Sequence, residues 1–345
     1  MWVAGAATGA AAQEHVTIRA DVLFYGDNTE FRNPFREGET IFGAAARPSI
    51  VFEPSDRVRL MLGAFGNLRF GGDDAFEMAR PIVTLMIVGA RSTFEFGTLA
   101  MPRVVNATGP DRGGPHGLLP PLQRETLAFD RPYEAGLAWT LVTARTRHET
   151  WINWQRLNTA AHRERFDAGA HGEVRLSRIV TLPFELHIVH EGGQLFASGP
   201  VADSAALATG FALEGNVGRL DRARLELLAA GSRFVPDRST PDRNRKGAAF
   251  FGRASAERGP WRGHLIVWRG KDFILDEGDP NYLSLRRDGT RYRGMRDYSE
   301  IGLAHTVRPA RGITLEASGR LHRTEGRYEY SFRILANAMV AVRLR

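Results

Sequence analysis

The chain is 345 residues long, 43% apolar and 25% charged, with no cysteine and a formal net charge of +7. The missing cysteines exclude disulfide stapling and cysteine metal sites, and the absence of any run near the ~18 apolar residues of a spanning helix excludes a helical membrane protein. The basic residues are interleaved with 39 acids rather than gathered in a patch with stacking aromatics, which argues against a nucleic acid partner.

Residues 1–12 (MWVAGAATGAAA) are small and apolar, and Ala10 and Ala12 stand before Gln13 in the A-x-A pattern of a signal cleavage site, so this stretch reads as a signal-peptide remnant. Residues 13–345 then read as one domain dominated by period-two alternation, the mark of strands with one wet and one dry face. The alternation predicts about sixteen strands, at 16–25, 39–52, 57–70, 76–88, 92–101, 133–143, 147–156, 165–176, 180–190, 205–215, 221–233, 247–256, 261–270, 298–307, 313–322 and 332–345. One face carries Arg57, Arg59, Arg147, Glu149, Asn153, Arg175, Glu185, His187, Arg222, Arg224, Glu226, Arg262, His264, Glu316 and Arg320. The other carries residues such as Leu60, Leu62, Leu186, Leu225, Leu227, Leu265 and Leu315. Charge on one face of so many strands is what a water-filled interior needs, and the first set is read as pore-lining.

The connections are short and long in turn. Short ones fall at 53–56, 89–91, 144–146, 177–179, 216–220, 257–260 and 308–312; long ones centre on 26–38, 71–75, 102–132, 157–164, 191–204, 234–246, 271–297 and 323–331. An even strand count with both termini on the short-turn side predicts an all-β fold: a closed antiparallel transmembrane β-barrel of the bacterial outer membrane, with short periplasmic turns and long extracellular loops. Pro48, Pro81 and Pro183 fall inside or at the start of strands and are read as bulges or misplaced strand boundaries. Aromatics near strand ends, among them Phe31, Phe35, Phe70, Phe76, Trp151, Trp154, Trp261, Trp268 and Tyr298, are read as interfacial girdles.

The third long connection, 102–132, is the largest. Its prolines and glycines argue against helix or strand, while Leu118, Leu119, Leu122, Leu127 and Phe129 are too apolar for a freely solvated tip. Folded inward it would bring Asp111, Arg112, His116, Arg124 and Glu125 to a constriction; the competing reading is an outer lid or oligomer contact. This layout resembles the general porins, whose sixteen-strand barrels carry an oversized third extracellular loop folded into the lumen. The resemblance covers the whole chain at the level of architecture. The ending departs from the usual one: Ala338, Val340, Val342 and Leu344 alternate properly, but the last residue is Arg345 rather than an aromatic.

A barrel of this size is too wide for wall side chains to fill, so the expected function is passive diffusion of small hydrophilic solutes. All but two of the 46 basic residues are arginine, which together with the net charge predicts a mild anion preference. The alternatives are a dedicated export or uptake barrel for an acidic polysaccharide or other polyanion, and a soluble or surface β-sheet binding protein. No enzyme is expected: no G-x-S-x-G elbow occurs and the histidines lack metal-ligand spacing. Neither metal nor cofactor is expected. Asp27, Asn28 and Glu30, and Asp276, Glu277 and Asp279, are read as solvated acidic rims rather than calcium loops. The expected partners are outer-membrane lipid, lipopolysaccharide and small solutes, and a homotrimer is one assembly open to such a barrel.

Overall fold

The computed structural model describes residues 14–99, 115–193, 195–196 and 198–344. The signal-like stretch, Asp111 and Arg112 lie outside the described residues. Sixteen strands follow in chain order: β1 (His15–Arg32), β2 (Glu37–Ser55), β3 (Val58–Arg69), β4 (Met78–Val88), β5 (Ser92–Thr98), β6 (Ala135–Val142), β7 (Thr146–Arg156) and β8 (Glu164–Arg175). The second half comprises β9 (Val180–Gly192), β10 (Ala202–Gly215), β11 (Arg222–Val235), β12 (Arg245–Arg258), β13 (Trp261–Lys271), β14 (Arg296–Ala310), β15 (Ile313–Thr324) and β16 (Arg327–Leu344). Each pairs antiparallel with its chain neighbours, and β1 pairs with β16 from Val16↔Leu344 to Glu30↔Tyr330, so the sheet closes and no edge is left open.

The alternation in the sequence sets which way each side chain points. Leu62, Leu225, Leu227, Leu265, Ile301 and Leu303 face outward and are between 41% and 56% exposed, while Arg224 and Glu226 on the opposite face of β11 are buried. Apolar outside and charged inside is the reverse of a solvated sheet protein, which excludes that alternative. Such an exterior belongs in a bilayer, where closure pairs the wall's backbone groups, and the fold is that of a porin-like barrel of the bacterial outer membrane.

Several expectations need correction. Pro48, Pro81 and Pro183 do not make bulges: Pro48 and Pro183 lie at gaps in one ladder each, but the register continues unchanged across them, and Pro81 pairs with Ala64 in register. The register shifts sit elsewhere, at Thr29/Arg32, Phe52/Ser55, Trp154/Arg156 and Val307/Ala310. The connections expected at 26–38 and 323–331 are largely strand, because the hydrogen-bonded ladders of β1, β2, β15 and β16 run on past the membrane-spanning alternation. Asp27 consequently faces inward, buried and bound to Arg333, rather than standing on a solvated rim, while Asn28 and Glu30 bond to each other on the exposed side. Finally, Phe70, Phe76, Trp154 and Trp261 are exposed on the outer surface, but Phe31, Phe35, Trp151, Trp268 and Tyr298 are buried inside.

Those inward aromatics serve a filled interior. Two connections fold into the extracellular half of the lumen: residues 115–130, which end in a single helical turn (Leu127–Asp130), and residues 272–295. Leu118, Leu119 and Leu122 from the first, and Phe273, Leu275, Tyr282 and Leu283 from the second, pack with Trp151, Leu228, Phe251, Ile266 and Trp268 of the wall. A second cluster joins Phe129 to Leu23, Tyr25, Ile41, Phe65 and Leu335. Of the second acidic set, Asp276 is exposed but Glu277 and Asp279 are buried with this connection, so it is not a solvated rim. Burial of these side chains removes apolar area from water, and the wall captures the plug's backbone: Trp268 Nε1 donates to the Tyr282 carbonyl at 3.0 Å and Arg296 donates to the Leu283 and Asn281 carbonyls at 2.8 and 2.6 Å.

Candidate functional site

The lumen divides into a wet periplasmic vestibule and this polar-lined plug. All fifteen residues read as pore-lining stand on inward-facing positions or at the mouth, but in two environments. Arg57, Arg147 and Arg175 are exposed toward the periplasmic end and have no ion-pair partner among the described residues, whereas Arg59 pairs with Glu53 at 2.6 Å. Deeper, Arg222 and Arg224 bind Glu214 at 2.7 and 2.8 Å, Arg224 also meets Glu226 at 2.8 Å and Glu173 at 3.2 Å, and Arg262 meets Glu316 at 3.1 Å. Asn153, Glu185, His187, Glu226 and His264 are buried rather than bordering open water, Glu185 and His187 against the first inward connection.

Of the residues expected at the constriction, His116 and Glu125 are buried in the lumen, and Arg124 pairs with Asp130 at 3.1 Å at the plug's surface. Glu125 is held by Arg320 at 2.8 Å and Arg333 at 2.9 Å. Around this pair remains a cavity of about 20 Å³ lined by Asp27, Arg36, Glu125, Arg320, His322 and Ser331, room for about one water. The two connections brace each other, with Arg124 N donating to the Glu277 carbonyl at 2.7 Å and Asp279 N to the Pro120 carbonyl at 2.8 Å. The wall braces the first, with Leu119 N donating to Glu185 at 2.7 Å.

His116 stacks on Trp151 at 3.8 Å between centroids, which is possible because Gly169 leaves the space a Cβ would need. Its two nitrogens meet Glu134 at 2.9 Å and Glu149 at 2.8 Å. Burial disfavours the charged ring, but the two carboxylates outweigh it and push the His116 pKa up to about 10. A raised pKa stabilises docking fully below about pH 6.5, the ordinary imidazole value, and the stabilisation is lost as the pH climbs through about 10. Limited proteolysis of the detergent-folded protein should therefore show residues 115–130 protected at pH 7 and cleaved faster above pH 10, and His116→Gln should remove that alkaline step. An unchanged step in the variant would refute the assignment.

Two further arrangements join the sequence-derived His264 and His187 to residues outside that set. Ser331 donates to His322 Nε2 at 2.8 Å, His322 Nδ1 donates to the Tyr298 oxygen at 2.7 Å, and the Tyr298 hydroxyl donates to Glu300 at 2.6 Å, with His264 bonded to the other Glu300 oxygen at 2.7 Å. The direction of this relay follows from the carboxylate, which only accepts. Separately, Asp167 on β8 and His187 on β9 converge with Glu277 of the second connection. Asp167 and His322 were legible as polar-face residues, but Glu277 was hidden in a connection whose apolar run Phe273-Ile274-Leu275 was the available sign of inward packing.

Outside, at the extracellular end, Arg233, Lys246, Arg269 and Lys271 are exposed, with Arg233 directly opposite Lys246 across β11 and β12. Like charges so placed repel and suit phosphate groups. Beside them His190 Nδ1 meets Asp203 at 2.8 Å at the edge of a groove of about 480 Å³ lined by Asp203, Arg233 and Arg238.

A family model described as lipid A 3'-O-deacylase-type matches residues 8–344. No curated protein matches the sequence. Among solved structures, the loop L8 deletion mutant of OmpT, an outer membrane protein of Vibrio cholerae, is similar with TM-score 0.58 at 9% identity, covering 95% of this chain and 99% of that one. The trimer form of the same Vibrio cholerae protein gives 0.55 at 10% identity, with 95% and 99% covered. The anion-selective porin from Comamonas acidovorans gives 0.54 at 11% identity, with 95% and 100% covered. At such identities these likenesses concern the fold.

Proposed function

The chain belongs to the lipid A 3'-O-deacylase-type family, and for this sixteen-strand member we propose a loop-occluded, porin-like channel that passes small hydrophilic solutes with a mild preference for anions. The observation that carries the reading is the vestibule. Arg57, Arg147 and Arg175 stand exposed and unpaired among the described residues, while neighbouring acids such as Glu53, Glu173 and Glu214 are bound to arginines. Excess guanidinium at a wet mouth concentrates anions. The inward connections make the narrow region, so flux depends on how far they shift. A continuous polyanion track is less well supported, since Arg222, Arg224, Arg262 and Arg333 are each bound to carboxylates.

Planar-bilayer recording under a salt gradient tests this. Wild type should conduct with a reversal potential displaced toward the anion value, and Arg57→Glu, Arg147→Glu and Arg175→Glu combined should displace it toward the cation value. A folded barrel without conductance ends the channel reading. Lipopolysaccharide against Arg233, Lys246, Arg269 and Lys271, and a homotrimer detectable by cross-linking in the membrane, are the partners that accompany it.

We propose no catalysis in the lumen, because the Ser331–His322 relay faces only the cavity of about 20 Å³. Family membership together with the outward His190–Asp203 pair favours one second reading: hydrolysis of an acyl ester of lipid A at the outer wall, with His190 as base and Arg233 and Arg238 toward phosphate. Mass spectrometry of lipid A from expressing cells separates the two. Loss of an acyl chain with wild type but not with His190→Ala supports the second reading, and unaltered lipid A removes it.

A further inference from the structure

The plug and the wall share one dry point of contact with an unusual donor set. Asp167 on β8, His187 on β9 and Glu277 on the inward connection are 1%, 0% and 3% exposed. Their facing nitrogen and oxygen atoms all lie within 4.8 Å of one another. His187 Nδ1 donates to the Leu122 carbonyl at 2.9 Å, which turns Nε2 toward Asp167 Oδ2 at 3.4 Å and Glu277 Oε2 at 3.7 Å.

Each carboxylate has its second oxygen committed elsewhere. Asp167 Oδ1 accepts from Asn153 at 2.8 Å and Gln155 at 2.7 Å. Glu277 Oε1 accepts from Arg131 at 2.6 Å, Gln155 at 2.9 Å and Arg165 at 3.3 Å. Trp151 Nε1 reaches Asp167 Oδ2 at 3.2 Å, the one other donor to the facing oxygens among the described residues. What converges is one imidazole nitrogen and two carboxylate oxygens, a set that holds together around positive charge. The nitrogen–oxygen separations are long for hydrogen bonds, yet near the roughly 3.4 Å edge of a tetrahedron of ligands held at about 2.1 Å. Ligands fixed through their far atoms by outer donors are the ordinary construction of a metal site.

We infer that Asp167, His187 and Glu277 bind one divalent first-row transition ion, zinc fitting best, and that this ion fastens residues 272–295 to the barrel wall. One imidazole and two carboxylates suit zinc better than calcium, which takes six to eight oxygens. Two ligands belong to the wall and the third to the plug, so occupancy adds a cross-link between them. The inference is independent of the channel reading, because binding itself is measured.

The experiment uses full-length protein folded in detergent, stripped with chelator and dialysed against Zn²⁺ or Co²⁺. Wild type should retain one ion per chain, and Co²⁺ should give the visible d–d absorption of a low-coordinate site. His187→Gln and Glu277→Gln should lose both signals, and Asn153→Ala should weaken binding by about 10- to 100-fold. Zn²⁺ should also slow tryptic cleavage at Arg286, Arg287 and Arg293, which are exposed on the tethered connection, in wild type and in neither ligand variant. Heat-modifiable gel mobility certifies that each variant is folded; Glu277→Gln, which leaves the wall unaltered, decides the matter if His187→Gln is not. Folded wild type without a stoichiometric ion, or full binding in folded Glu277→Gln, overturns the site.

Discussion

Leu227→Arg should prevent the barrel from assembling. Leu227 lies midway along β11, faces outward and is 46% exposed, between a buried Glu226 and a buried Leu228 on the inner face. A guanidinium at this depth meets hydrocarbon, at a cost of about 2–4 kcal/mol near the midplane that falls to about 0–1 kcal/mol at the interfaces. Leu62→Arg on β3 makes the same substitution on a strand far around the wall, so the double variant should lose about the sum of the two. Ala223→Arg, also outward but at the periplasmic end of β11, is the matched control. Heat-modifiable mobility and protease protection in membranes read the result. Equal assembly of Leu227→Arg and Ala223→Arg would deny that the leucine row contacts lipid.

That prediction rests on the part of the fold most legible in the chain. Leu225 and Leu227 against Arg224 and Glu226 is a local pattern, and a strand's geometry converts it directly into outside and inside. Closure, strand number and the inward position of fifteen polar residues follow from repeating that step. Pattern alone misjudged Trp151, Trp268 and Tyr298, because an aromatic near a strand end is equally at home in a lipid interface and against a plug, and only the plug decides. The ends of β1 and β16 were misjudged for a related reason: Asp27 to Arg32 is polar enough for a loop, yet its backbone stays paired because Asp27 and Glu329 find partners, Arg333 and the Arg32 N–H and Asn33 amide, across the lumen wall. The candidate metal site was least legible. Asp167 and His187 are twenty residues apart on adjacent strands, but Glu277 arrives from a distant connection, and no spacing rule joins ligands that meet only after that connection folds in.

Deleting residues 275–292 should open the lumen, raising conductance at least several-fold over wild type. The deletion removes Leu275, Glu277, Asp279, Tyr282 and Leu283 from the interior, and leaves six residues between β13 and β14, near the span of an ordinary hairpin loop. The ladder from Trp261↔His305 to Gly270↔Arg296 is untouched, so closure persists. Residues 115–130 lose the partners of Arg124 N and the Pro120 carbonyl, and Leu119 and Leu122 lose the apolar side chains packed on them. What remains of the plug is held by the His116 and Phe129 contacts and by Glu185, His187, Arg320 and Arg333 on the wall, and with the apolar partners of its middle gone it opens at lower free energy than the intact plug. Trimming the exterior connection at residues 236–244, which lies outside both buried clusters, should leave conductance unchanged. Single-channel recording of the two deletions distinguishes the accounts. If the 275–292 deletion folds and conducts no better than wild type, the inward connection is not what closes the barrel, and the constriction must be built by the wall itself.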